Sequence, residues 1–77
     1  MNKVALRFKI VKDEKVIEVL FDKRLTFSEN FKLFNEIYDL GDIENICVYD
    51  RTYDKALRKD VKIELFNFSN FTYLYIY

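Results

Sequence analysis

The sequence predicts an α+β domain: a mixed four- to five-stranded sheet with one main helix, about 27–40, packed on one of its faces. Three observations carry this. Alternation with a period of two marks Val4-Ala5-Leu6-Arg7-Phe8-Lys9-Ile10 and the closing Tyr73-Leu74-Tyr75-Ile76-Tyr77 as half-buried strands. Between them, Thr26-Phe27-Ser28-Glu29 fits the S/T-x-x-E capping box and opens a stretch whose aromatics recur at helical spacing. The chain also has no proline, a single glycine at Gly41, and neither linker nor repeat, so residues 1–77 read as one domain.

In the first strand Val4, Leu6, Phe8 and Ile10 face inward and Ala5, Arg7 and Lys9 outward. The charged stretch Lys12-Asp13-Glu14-Lys15, with its turn-favouring Asp13, leads to Val16-Ile17-Glu18-Val19-Leu20-Phe21, and the two runs form an antiparallel hairpin. Ile17, Val19 and Phe21 take the inner side, because the other set contains Glu18. At the helix start, the Thr26 hydroxyl and the Glu29 carboxylate satisfy backbone donors that would otherwise be unpaired. Phe27, Phe31, Phe34 and Ile37 or Tyr38 form the core stripe, and Gly41 is placed to take the left-handed conformation that ends a helix.

Ile43 pins the connection that follows, and Ile46-Cys47-Val48-Tyr49 makes a third strand with Ile46 and Val48 inward and Cys47 and Tyr49 outward. A polar turn through Asp50, Arg51 and Thr52 leads to a short fourth strand, Lys55-Ala56-Leu57. The connection from Arg58 to Ser69 carries Val61, Ile63, Leu65, Phe66 and Phe68, too apolar for a solvated loop, so it covers the core with a short helical turn. Asn70 to Tyr77 is the closing strand, with Leu74 and Ile76 inward and Tyr73, Tyr75 and Tyr77 outward.

Composition narrows the function. A chain of 77 residues buries only about 60% of the surface its unfolded form exposes, and a content of 51% hydrophobic and 18% aromatic residues supplies the dense core this demands. Thirteen Lys/Arg against 13 Asp/Glu remove the bulk attraction to nucleic acid or an anionic membrane. The lone Cys47 excludes an intramolecular disulfide and a cysteine-rich metal site, which points to a cytoplasmic compartment. The N-terminus has no apolar signal segment, and no apolar run approaches the roughly 18 residues of a membrane span. With no histidine and no Gly-rich loop, no enzyme, catalytic residue, metal or cofactor is expected.

The order hairpin, helix, strand, short strand, apolar crossover, strand is that of the β-grasp, in which the last strand lies parallel beside the first. The stretch from Leu57 to Tyr77 resembles the second half of ubiquitin-like domains without a gap. Leu57 stands where they end a short fourth strand on an apolar residue. Ile63-Glu64-Leu65-Phe66-Asn67-Phe68 stands at their Leu-Ser-Asp-Tyr-Asn-Ile type of turn, and Thr72 to Tyr77 at their final strand. Conjugating members work through a flexible tail ending in Gly-Gly. The sequence stops at Tyr77 without one, so neither protein modification nor sulfur carriage is expected. In length, element order and missing tail the chain is similar to the bacterial YukD-like proteins, which implies an accessory role in type VII secretion.

The resemblance also implies a partner site on the solvent face of the sheet. On the phases above, this face carries Ala5, Arg7, Lys9, Cys47, Tyr49, Tyr73, Tyr75 and Tyr77. Tyr and Arg are enriched at binding hot spots, since a ring buries a large area at small entropic cost and its hydroxyl keeps a polar handle. The leading expectation is a non-enzymatic adaptor or regulator that binds a protein partner through this face. The plain alternative is a cross-strand ladder of rings that only stabilises the sheet. Three further alternatives stand: a homodimeric structural module, a small phage or mobile-element inhibitor of a host protein, and a weak nucleic-acid binder using Arg7 and Lys9 beside Tyr73 and Tyr75. Neutral net charge argues against the last.

Overall fold

A computed structural model describes residues 2–38, 40–41, 43–50 and 54–77. The turn expected at Arg51 and Thr52 and the side chain of Ile43 lie outside what is described. The described residues form one sheet of five strands, β1 (Lys3–Ile10), β2 (Lys15–Asp22), β3 (Val48–Asp50), β4 (Lys55–Leu57) and β5 (Thr72–Ile76), and one helix, α1 (Phe27–Phe34). Spatial order across the sheet is β2-β1-β5-β3-β4. β1 and β5 run parallel at its centre, from Leu6 opposite Thr72 to Ile10 opposite Ile76, and the other pairings are antiparallel. This is the ubiquitin-like β-grasp.

The inward sets are those the alternation predicts. Val4, Leu6, Phe8 and Ile10 are buried against Ile17, Val19 and Phe21, and Ile46, Val48, Leu74 and Ile76 complete the floor beneath α1. Phe27 and Phe31 descend from the helix onto it. Phe21 lies in the middle of the rings, with centroids 5.2 Å from Phe8, 5.8 Å from Phe27, 5.7 Å from Phe31 and 5.5 Å from Phe34. The crossover closes the other side: Ile63 is buried, and Phe66 and Phe68 stack at 5.1 Å beside Phe27. Leu65, expected to share that burial, stays 68% exposed, because the single turn at Ile63–Phe66 can turn only part of its residues to the core.

The helix starts as predicted and ends earlier. The Glu29 N–H donates to Thr26 Oγ1 at 3.1 Å and the Thr26 N–H to Glu29 Oε1 at 3.0 Å, so both arms of the capping box are formed. Its end is at Phe34 rather than near residue 40. The N–H groups of both Ile37 and Tyr38 converge on the Phe34 carbonyl, and the Asn35 side chain accepts the Leu40 N–H at 3.0 Å, offering the backbone turns instead of further helix. The stripe therefore continues through Tyr38, packed against the core, while Ile37 is 72% exposed. Gly41 has the expected left-handed φ of 76°, but in the connection well beyond α1.

Two strand boundaries also shift, whereas the hairpin turn does not. The hairpin turn falls on the expected charged stretch, as a short helical turn over Val11–Asp13 closed by a left-handed Glu14 (φ 50°). The regular part of the third strand is Val48–Asp50 rather than 46–49, although Cys47 and Tyr77 exchange both backbone hydrogen bonds, at 3.1 and 3.0 Å, ahead of it. β5 begins at Thr72, after Asn70 and Phe71 have turned the chain into the sheet.

One polar group is sunk into the core edge. Asn30, buried on α1, donates from Nδ2 to the carbonyls of Asp22 (3.1 Å) and Thr26 (2.9 Å) and accepts the Asp22 N–H at 2.9 Å. It thereby supplies the end of β2 with the partners a neighbouring strand would have given. The Asp22 carboxylate accepts the backbone N–H of Arg24 and, through Oδ2, its Nη2, both at 2.9 Å. These bonds, the side-chain ones first, hold the Asp22 carboxyl well below the usual carboxylate range.

Candidate partner-binding face

Sheet register gathers all seven expected side-chain positions on one surface, the face opposite α1. Arg7 lies between Glu18 on β2 and Tyr73 on β5; one step along, Lys9 lies between Val16 and Tyr75. Tyr75 is directly opposite Tyr49, which is opposite Ala56. The backbone pairing of Cys47 with Tyr77 adds both to the same surface, and Cys47 is exposed with a free thiol.

Both readings of the tyrosines have a physical counterpart. Tyr73 and Tyr75 meet at 5.4 Å with rings tilted by 57°, Tyr49 and Tyr77 meet edge to face at 6.0 Å, and the Tyr49 hydroxyl donates to Asp54 Oδ1 at 2.6 Å. Such contacts stiffen the centre of the sheet. Tyr73 nevertheless remains 39% exposed and Tyr77 50%, so the ladder leaves ring surface available to a partner. The basic residues differ from one another: Arg7 Nε is fixed on Glu18 Oε1 at 3.0 Å, whereas the Lys9 side chain meets no ion-pair or hydrogen-bond partner among the described residues.

The face holds more than the sequence reading placed there. Val16 and Leu20 are exposed on β2 beside Glu18, and the alternation that sent Ile17, Val19 and Phe21 inward was the signal for them. Phe71, 53% exposed, lies with its ring 4.9 Å from the Arg7 guanidinium. Its left-handed φ of 67° takes it out of the regular strand, and no local pattern announces that. Among the described residues no cluster of three or more His, Cys, Asp or Glu could hold a metal, and no helix is long and apolar enough to cross a membrane.

The strand order and the helix over one face define the ubiquitin-like fold. Solved structures agree with the fold. The ubiquitin-like domain of Dsk2 from Plasmodium falciparum superimposes with a TM-score of 0.76 at 16% identity, covering 96% of this chain and 95% of that one. A ubiquitin-like domain of an Arabidopsis thaliana protein gives 0.76 at 15% identity, over 100% and 78% of the two chains. A chain described in terms of molecular mimicry of SUMO promoting DNA repair gives 0.83 at 9% identity, over 100% and 92%. No protein-family model matches the sequence, and no curated protein matches it.

Proposed function

We propose that this protein is a non-enzymatic binding module that recruits a protein partner, by non-covalent contact, through the outer face of its sheet. The observation that carries the reading is the exposed aromatic surface at the sheet centre, Phe71, Tyr73 and Tyr77, on a scaffold whose core is closed on the opposite side. Rings already held by their neighbours lose little freedom on binding, which favours their use as anchors. Replacing Tyr73 and Tyr75 together by Ser is expected to leave the fold intact by circular dichroism and to abolish capture of the partner from lysate of the native host. Undiminished capture by a folded double variant overturns the reading.

Within it, the specific role we propose is that of a cytoplasmic adaptor or regulator accessory to type VII secretion. The support is the resemblance in length and element order to the YukD-like proteins. Deletion of the gene is then expected to lower export of type VII substrates and to spare general secretion; unchanged export removes this role and leaves the binding module standing.

A further inference from the structure

The charges on the outer face are unevenly answered. Every charged residue that β1 sends outward is a cation: Lys3, Arg7 and Lys9. The carboxylates of the adjacent β2 file are both engaged, Glu18 on Arg7 at 3.0 Å, and Asp22 on Arg24 at 2.9 Å with Lys3 at 3.8 Å. β5, on the other flank, offers only tyrosines. Lys9 is left half-buried between Val16 and Tyr75, an ammonium with no anion beside it among the described residues, on a largely apolar surface.

Phe71 adds an independent observation. A bulky side chain in the left-handed region is strained, because its Cβ crowds the backbone there and a glycine would not. Phe71 holds this conformation with its N–H bonded to the Ala5 carbonyl at 2.7 Å, and the result is a phenyl ring delivered to solvent over Arg7. Backbone strain that leaves an apolar ring half exposed clusters at sites of contact, where the surrounding structure holds it in place.

We propose that Phe71, Arg7 and Lys9 are the docking point for an extended acidic segment of a partner protein, its carboxylates meeting Lys9 and Arg7 and its apolar side chains lying on Phe71, Tyr73 and Tyr75. The inference rests on the reading of this face as protein-binding and specifies the partner's chemistry. Charge complementarity selects the occupant: a second copy would present the same excess of cations, whereas alternate carboxylate and apolar side chains match the parallel files of β1 and β5, whose successive outward residues stand about 7 Å apart.

The probe is a short synthetic peptide of alternating Glu and Leu, titrated into ¹⁵N-labelled protein, with a Lys-Leu peptide and oligo(dT) as comparators. Expected are shifts at Arg7, Lys9, Phe71, Tyr73 and Tyr75 with the acidic peptide only, and a monomer by sedimentation. Lys9→Glu is expected to weaken binding about tenfold, the effect of losing one charge-assisted contact. Phe71→Gly is expected to weaken it about as much while leaving Tm unchanged or raised, which a merely structural ring would not do. Equal binding of the Lys-Leu peptide, preference for oligo(dT), dimerisation through this face, or absence of shifts with the acidic peptide overturns the proposal. If Lys9→Glu and Arg7→Glu leave partner capture intact while the Tyr73/Tyr75 double variant abolishes it, the acidic assignment falls and the tyrosine face stands.

Discussion

Phenylalanine crowds the inner face of the sheet and tyrosine the outer one, yet rings on both sides meet at similar separations: 5.2 Å for Phe8 and Phe21 inside, 5.4 Å for Tyr73 and Tyr75 outside. Ring-to-ring contact, worth about 0.5–1.5 kcal/mol a pair beyond area burial, is therefore common to both. Removal from water is what differs. Phe8, Phe21, Phe27 and Phe31 are wholly or almost wholly buried, while Tyr73 and Tyr77 retain two-fifths and one-half of their exposure. One surface holds the fold together, and the other is held by it.

The comparison fails first if the inner rings prove dispensable. Phe21→Ala removes a ring that touches four others, and a loss of about 3–5 kcal/mol is expected in urea unfolding. A loss below about 1 kcal/mol would mean that the core collapses into the space and that the cluster is not the main support. Asn30→Ala tests the polar edge of the same core. It leaves the Asp22 N–H and carbonyl without their side-chain partner, and about 1–3 kcal/mol is expected from the same measurement.

Outer-face changes are smaller. Tyr73→Ser and Tyr75→Ser should each cost about 0.2–1 kcal/mol, the worth of a cross-strand pair. A loss as large as that of Phe21→Ala would make the tyrosine file a second core and remove the contrast.

Asp22 gives the last test, visible only in acid. Arg24 holds the folded-state carboxyl below its ordinary value of 3.8, so as pH falls through that value the unfolded chain takes up a proton that the folded chain does not. Stability from this group is complete above pH 3.8 and declines below it. Thermal melts across this range should show Asp22→Asn with a shallower acid decline than the parent, and parallel curves would contradict the assignment.

Much of this was legible along the chain because it is written in short-range periods. The alternation of Val4, Leu6, Phe8 and Ile10 set the phase of β1, and the capping box placed the start of α1 at the residue where it is found. With the strand order that the resemblance implies, the alternation of β1 and β5 sent Arg7, Lys9, Tyr73, Tyr75 and Tyr77 to one surface; the structure adds Cys47 and Tyr49 to it. The end of α1 was not legible. Apolar residues to Leu40 continue the helical rhythm, and the competition that stops the helix involves the Asn35 side chain and the Phe34 carbonyl, which composition does not reveal.

What the sequence by itself determined is which side of β1, β2 and β5 faces the core, because burial follows a period of two wherever one face is apolar; both faces of Ile46-Cys47-Val48-Tyr49 are apolar, and its phase was settled by the structure. What only the tertiary structure decided is which residues are neighbours across strands: Arg7 with Glu18, Lys9 beside Val16 and Tyr75 with no anion among the described residues, and Phe71 turned out over Arg7 in a strained conformation. The Arg7–Glu18 pair closes across the hairpin, 11 residues apart, but the setting of Lys9 and Phe71 comes from pairing segments more than 60 positions apart, as where the Ala5 N–H meets the Asn70 side chain at a separation of 65 residues. Register between such distant strands is settled when the sheet closes, and no local pattern records it.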